Sequence, residues 1–212
     1  ENLNGVEPVF GQLVGIESSL ENLSKASLEA YCLGYRLAKQ QWAACVRFVS
    51  EGKGIVIDVD EHLLQAQEVK ALCKSMNEKV AQKGWCFFPL ERNRALLISQ
   101  CPLLKHPLEE QWHFHPGEVL GRPWRDLLPS STLEGEEDLW MLAQTAHSVL
   151  ADHEVNQLRQ ELEEPFVNAF LIGHSGPSLD SLNLQLNYIL PRVKVLTRSF
   201  SLAGFAKFLG YP

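Results

Sequence analysis

The feature that most constrains the fold is a set of short β-rich runs on either side of one long amphipathic segment. Four runs form two successive pairs: residues 44–49, 55–59, 85–88 and 94–98. Gly52 and Gly54 separate the first pair, as a tight hairpin requires. The apolar stripe over residues 61–82 predicts a helix that ends at Gly84. Hairpin, helix and hairpin together predict a small antiparallel sheet covered by one helix.

The rest of the chain predicts an α/β half. Its predicted elements are a helix over residues 134–150, a strand over 166–172, a helix that begins near residue 179, a short strand at 193–196 and a helix over 199–209. The fold class is therefore α/β (α+β), with an antiparallel hairpin–helix–hairpin unit followed by an α/β half. Two domains are expected. Residues 1–132 hold N-terminal helices at 6–23 and 28–39, the sheet unit and an irregular loop, and residues 133–212 hold the α/β half.

Composition excludes several classes of function. The net charge of -7 argues against a nucleic-acid partner, which requires clustered basic side chains. No apolar run reaches the roughly 20 residues that span a bilayer, so no membrane association is expected. The five cysteines form no CxxC pair, which is typical of a reducing compartment. We therefore expect a cytoplasmic protein.

Two candidate patterns, one for catalysis and one for zinc binding, lack features that their chemistry requires. The sequence Gly-His-Ser-Gly-Pro at residues 173–177 is similar to a hydrolase elbow, but no histidine follows His174 to act as the general base. His106, His113 and His115 lie in an irregular segment, and their spacing matches no standard zinc site. We expect no catalytic residue, no metal ligand and no cofactor from these patterns.

Two further clusters have a simpler structural interpretation. The acidic residues near the start of the helix at 134–150 suit the positive end of its dipole. Trp112 and Trp124, with Arg122 and Arg125, could form a ligand platform, although tryptophans that anchor a core or a loop are more common.

Three polar residues carry the strongest signal for a site. Asn156 and Arg159 lie three apart and share one face of a helix, and Asn168 lies inside an apolar strand where its amide needs hydrogen-bond partners. One interpretation is structural: these side chains tie the helix-to-strand turn together. The other is an anion site, in which Arg159 acts with the backbone amides of a glycine turn over residues 173–176 at the start of the next helix. Gly173, Ser175 and Gly176 are then the further candidate ligand-binding residues.

These residues also carry a family resemblance. The pattern His153-x-Val-Asn156-x-x-Arg159, then Pro165-x-Val-Asn168, then Leu171-Ile-Gly173-His-Ser-Gly176 resembles the signature of RpfE-type bacterial regulatory proteins. It is more distantly similar to archaeal-type cofactor-independent phosphoglycerate mutases of the alkaline phosphatase superfamily. The resemblance implies that residues 133–212 adopt part of an alkaline phosphatase-like fold. It also implies that an enzyme of this kind would use two divalent metals held by strand-end aspartates and histidines.

The sequence departs from the mutases at these metal ligands, since nothing before Trp42 resembles an Asp-Gly strand. We therefore expect a non-catalytic regulatory or ligand-binding protein of the RpfE type. The alternative is a phosphoglycerate mutase-like isomerase, or another phosphoryl-transfer enzyme whose metal site is incomplete in this chain. The expected partner is an anionic or phosphorylated small molecule, and a protein partner or a second copy of the chain stays open.

Overall fold

The computed structural model describes residues 24–58, 64–100, 119–128, 136–179 and 200–208. Within these ranges, no helix is both long and apolar enough to cross a bilayer. Several predicted features lie outside the described residues: the helix at 6–23, most of the irregular loop, the helix near residue 179 and the strand at 193–196. The predicted domain boundary at 132 and 133 also lies outside them and stays a prediction.

The described residues form five α-helices and five strands. The helices are α1 (Lys25–Cys32), α2 (Ala66–Val80), α3 (Glu136–Ala151), α4 (Glu154–Glu161) and α5 (Phe200–Phe208). The strands are β1 (Trp42–Gly52), β2 (Ile55–Asp58), β3 (Trp85–Pro89), β4 (Arg94–Ser99) and β5 (Ala169–Pro177). Short 3₁₀ turns cover Ala81–Lys83 and Trp124–Leu127. This mixed architecture confirms the predicted fold class.

The long strand β1 is the centre of the sheet. It pairs antiparallel with β4 on one edge and with β5 on the other, and its end forms the first hairpin with β2. β3 pairs with β4 in the second hairpin. Both predicted hairpins are therefore confirmed. The strand of the predicted α/β half joins the same sheet, so β5 contributes to the same layer as the hairpin unit.

The local sequence explains where the helices begin and end. Ser24 caps α1 by accepting a hydrogen bond from the Ser27 amide, and the chain turns away at Gly34, whose φ is +86°. The prediction of a helix over residues 28–39 was therefore placed too late. The amphipathic helix is α2; the 3₁₀ turn over Ala81–Lys83 continues it, and Gly84, with a φ of 77°, ends this turn at the predicted position.

The sheet has helices on both faces. Because side chains alternate along a strand, Ala43 and Cys45 of β1 point to one face, and Ala44, Val46 and Phe48 point to the other. The larger core lies on the second face, against the apolar stripes of α2 and α3. The smaller core lies on the first face, against α1.

A buried ion pair fastens α1 to the sheet. Arg94 of β4 donates from Nη2 to both carboxylate oxygens of Glu29, at 2.6 Å each, and the Glu29 side chain is only 2% exposed. Cys45 donates from Sγ to Glu29 at 3.7 Å. Burial raises the pKa of Cys45 to about 12, so the thiol stays protonated and acts as a donor. Burial lowers the pKa of Arg94, but the Glu29 carboxylate outweighs this and raises it above the ordinary value.

Replacing Gly204 by Ala is expected to lower the free energy of unfolding by about 1–3 kcal/mol. A Cβ at this position would overlap the carbonyl oxygen of Leu28, where α5 crosses α1. The gain in helix propensity of about 1 kcal/mol does not offset such an overlap with backbone. Denaturant melts measure the change.

Gly52→Ala is the matched control, because a Cβ there would meet only the flexible side chain of Ile57. Its effect should stay within about 0.5 kcal/mol. Equal stabilities for the two variants would contradict the close crossing of α1 and α5.

Candidate functional site

Asn156 ties the start of α4 to the segment that leads into β5. Its side chain is fully buried and donates from Nδ2 to the carbonyl oxygens of Leu150, at 2.6 Å, and Val167, at 2.5 Å. Its Oδ1 accepts from the Val167 amide at 3.3 Å. The carboxamide therefore pairs with both backbone groups of Val167, as a neighbouring strand would. The structural interpretation of Asn156 is confirmed.

His153 precedes this helix and caps it. Its Nδ1 accepts from the Val155 amide at 3.1 Å, and its Nε2 lies 3.0 Å from Ser75 Oγ of α2. With Nδ1 as an acceptor, a neutral ring carries its proton on Nε2, which donates to the serine. The histidine of the signature thus begins α4 and connects it to α2.

Asn168 makes the same kind of pairing with β1. Its Oδ1 accepts from the Glu51 amide at 2.7 Å, and its Nδ2 donates to the Glu51 carbonyl oxygen at 2.9 Å. Glu51 lies at a shift in the register between β1 and β2, where regular pairing is interrupted. Asn168 is thus a buried tie, as predicted, but it connects β5 to the β1–β2 hairpin and not to the α4 turn.

The guanidinium of Arg159 binds the Glu68 carboxylate of the same chain. Nε and Nη2 donate to the two oxygens of Glu68, at 2.8 and 2.7 Å. Nη1 donates to the Pro165 carbonyl oxygen at 3.0 Å and lies 3.3 Å from Glu164. Partial burial raises the pKa of Glu68, but hydrogen bonds from Arg159 and the Gln65 amide outweigh it, so that pKa lies below its usual value. Arg159 therefore holds α4 against the first turn of α2.

The backbone of residues 173–176 is not the helix-opening turn that was predicted. It continues β5, with Gly173 opposite Cys45 and Gly176 opposite Ala43. Between these pairs, His174 and Ser175 lie opposite the single residue Ala44, which makes a β-bulge. His174 has a φ of 51°. The prediction was wrong because pairing with β1 uses this backbone as a strand.

The capped end of α1 covers the end of β5. Ser24 Oγ donates to the His174 carbonyl oxygen at 2.9 Å, and Ser27 Oγ donates to that of Pro177 at 2.7 Å. A Cβ at Gly176 would overlap the Ser24 side chain, so this glycine permits a close approach and not a turn. Ser175 Oγ is buried and has no hydrogen-bond partner among the described residues.

A histidine–carboxylate pair that was not predicted lies beside Asn168. His147 of α3 donates from Nε2 to Glu51 Oε2 at 2.9 Å, and Oε1 of the same carboxylate accepts from the Gly54 amide. The Trp124 ring lies 5.5 Å from the imidazole at 31°, and its Nε1 donates to the Phe170 carbonyl oxygen. Glu51 and His147 are 96 positions apart, so no local sequence pattern links them.

The other sequence candidates are only partly described. Trp124 is buried and lies 5.6 Å from the Trp140 ring, over which Arg125 lies at 4.9 Å, so this tryptophan anchors a loop to α3. Trp112, His106, His113 and His115 lie outside the described residues, as do the side chains of the acidic cluster. In the described ranges, no three His, Cys, Asp or Glu side chains come together to hold a metal.

Comparison with known proteins identifies the family. The family model of 2,3-bisphosphoglycerate-independent phosphoglycerate mutase matches residues 13–156, which is more than half of the chain. The chain belongs to this mutase family. The matched range includes the hairpin unit and ends at Asn156 in the first turn of α4. None of the curated sequences compared with the chain matches it significantly.

Two solved structures share the fold. A cofactor-independent phosphoglycerate mutase from Thermoplasma acidophilum aligns over 95% of this chain with a TM-score of 0.60 and 17% identity. The PH0037 protein from Pyrococcus horikoshii aligns over 89% with a TM-score of 0.56 and 16% identity. The chain covers 54% of the first and 41% of the second. It therefore spans about half the length of these two proteins.

Replacing Asn168 by Leu should lower the free energy of unfolding by about 1–3 kcal/mol, because the Glu51 amide and carbonyl would lose their partners. Denaturant melts measure the change. Gln157→Leu is the control, since its amide donates only to an exposed carbonyl of Asp152, and its effect should stay below about 0.5 kcal/mol. An Asn168→Leu effect below that limit would show that the buried tie contributes little.

Glu68→Gln should destabilise the protein near neutral pH, and the difference from wild type should vanish in acid. The folded state holds the pKa of Glu68 below its usual value, so the ionised carboxylate contributes fully above the unfolded pKa. That contribution is lost as the pH falls through the folded pKa. Glu164→Gln is the control: this carboxylate is 53% exposed, so its effect should be about 1 kcal/mol or less. Thermal melts across the acid range would contradict the assignment if the Glu68→Gln deficit were independent of pH.

Proposed function

We propose that this chain is a phosphoglycerate mutase-like protein that acts on a phosphorylated small molecule. The match of the family model over residues 13–156 carries the proposal. The shared fold of the Thermoplasma enzyme supports it at the level of architecture. The expectation of a non-catalytic regulatory protein has less support than this enzymatic alternative.

The described residues would contribute the frame of such a protein. Asn156 and Asn168 fix β5 against α4 and β1, and Arg159 fixes α4 against α2. Two-metal phosphoryl transfer needs carboxylates and imidazoles that converge on both ions. The described residues do not fit such a centre, since no three potential ligands come together among them.

The candidate anion site at Arg159 remains part of the proposal. A phosphate group could use the arginine fork, whose planar donors match phosphate oxygens. It would have to share or displace the Glu68 carboxylate, which now accepts from both Nε and Nη2. Gly173 and Gly176 would support the frame through β5 and would not offer the amides of a helix start.

A regulatory function of the RpfE type is the second candidate. The observation that favours it is the internal bonding of the signature, because His153, Asn156 and Arg159 all bind groups of this chain. In this function the chain would bind an anionic ligand, a protein partner or a second copy of itself without turnover. For either function we propose the cytoplasm, since the four described cysteines are free thiols.

The experiment incubates the purified full chain with Mn²⁺, Mg²⁺ or Zn²⁺ and measures the interconversion of 2-phosphoglycerate and 3-phosphoglycerate. The expected result is interconversion above the rate without protein, and a chelator then shows whether this turnover depends on a metal. Hydrolysis of a simple phosphate ester under the same conditions would place the chain among phosphoryl-transfer enzymes without mutase specificity.

A complete lack of turnover would overturn the enzymatic proposal. The regulatory candidate then predicts that phosphoglycerate still raises the melting temperature, and that Arg159→Ala abolishes this rise. Glu154→Gln, an exposed change in the first turn of the same helix, is the matched control and should keep the rise.

A further inference from the structure

The polarity of helix α4 is inverted compared with that of an ordinary surface helix. The face that packs against the protein is polar, because it carries the buried side chains of Asn156 and Arg159. Leu158 and Leu162 lie on the outside, where they are 55% and 60% exposed. Single exposed leucines are common, but two neighbouring ones on a helix that buries its polar face indicate an interaction surface.

The apolar side chains of this outer face form one stripe. The Leu162 amide donates to the Leu158 carbonyl oxygen at 3.0 Å, so the helical turn continues and the two leucines are neighbours along the helix. Val155, which is half-buried against the core, lies one turn before Leu158. Positions 155, 158 and 162 have the i, i+3 and i+7 spacing with which an amphipathic helix docks on a partner.

Acidic side chains flank the stripe. Glu154 and Glu161 are exposed, and they lie four and three residues from Leu158, on one side of it. Neither forms an ion pair with another residue that the structure describes. The one basic residue of α4, Arg159, points inward and is paired with Glu68. The outer face of α4 therefore combines an apolar stripe with negative charge that the helix does not compensate.

This negative charge selects the kind of surface that can cover the stripe. A nucleic acid or an anionic bilayer would be repelled. A second copy related by a two-fold axis would bring the same glutamates against each other. The complementary surface has apolar side chains next to lysines or arginines, and a basic amphipathic helix presents both together.

We propose that the outer face of α4 docks a basic amphipathic helix of a partner protein. The apolar side chains of the partner cover Leu158 and Leu162, and its lysines or arginines pair with Glu154 and Glu161. The contact does not use Arg159, so it is independent of the candidate anion site and of any turnover.

The probe is a fluorescently labelled peptide of leucine and lysine, about 14 residues or four helical turns long, with its leucines on one face. Fluorescence anisotropy should show saturable binding of one peptide per folded full chain. Leu158→Ser with Leu162→Ser should weaken binding about tenfold or more, since two apolar contacts are lost. Leu33→Ser with Leu120→Ser is the matched control, because these leucines are exposed elsewhere in the chain and should not affect the affinity.

Charge variants test the acidic flank. Glu154→Gln with Glu161→Gln should weaken binding about threefold or more at low salt and reduce its dependence on salt. Glu78→Gln with Glu91→Gln removes the same charge from exposed positions outside α4 and is the control. A peptide with glutamine in place of lysine should bind more weakly, and it should bind wild type and the Glu154 and Glu161 variant equally.

Three results would overturn the proposal. The first is an absence of saturable binding. The second is equal weakening by the two leucine pairs or by the two glutamate pairs, which would indicate attraction without a defined site. The third is self-association of wild type in sedimentation equilibrium that Leu158→Ser with Leu162→Ser abolishes, since this would assign the face to a second copy. Circular dichroism should show the same fold for every variant, because all the substituted side chains are exposed.

Discussion

The arrangement of this fold depends on a single kind of interaction, in which an asparagine carboxamide pairs with both backbone groups of one residue. It occurs at three places in the described part of the chain: Asn77 with Phe87, Asn156 with Val167 and Asn168 with Glu51. At each place no described strand pairs with these groups: Phe87 is in the edge strand β3, Val167 precedes β5, and Glu51 lies at the register shift of β1. A buried amide or carbonyl without a partner costs about 1–3 kcal/mol, so the carboxamide allows the sheet to end or bulge there.

This pairing also sets the positions of charged side chains. With its backbone held by Asn168, Glu51 directs its carboxylate at His147 and the Gly54 amide. The β1–β2 turn, α3 and the start of β5 are therefore fixed relative to one another through one residue. The ion pair of Arg159 and Glu68 fixes α4 relative to α2 in the same way. Asn168 and Arg159 of the signature thus hold five elements together: the β1–β2 turn, α2, α3, α4 and the start of β5.

Local patterns were enough to predict the hairpin unit, because alternating strands, a helical stripe and turn glycines all depend on near neighbours. Residues 173–176 show where this reasoning fails. Glycines between a strand and a predicted helix indicate a turn, but Gly176 meets Ser24, and the pairing of β5 with β1 decides the backbone. The partners of Arg159 and Asn168 could not be predicted either. Glu68 is 91 positions from Arg159 and Glu51 is 117 from Asn168, and no local pattern links such pairs.

The pairing of Arg159 with Glu68 has a consequence for any anion that binds there. A ligand phosphate would compete with a carboxylate that already satisfies the fork, so its binding free energy would be reduced by the cost of separating the pair. Because Arg159 lowers the pKa of Glu68, the competitor remains ionised until the pH falls below the usual glutamate range. Protonation of Glu68 would then free the fork, and anion binding at Arg159 would strengthen as the pH falls. The same event would loosen α4 from α2, since this pair holds the two helices together. Any anion that bound at Arg159 would therefore be coupled to the packing of α4 against α2.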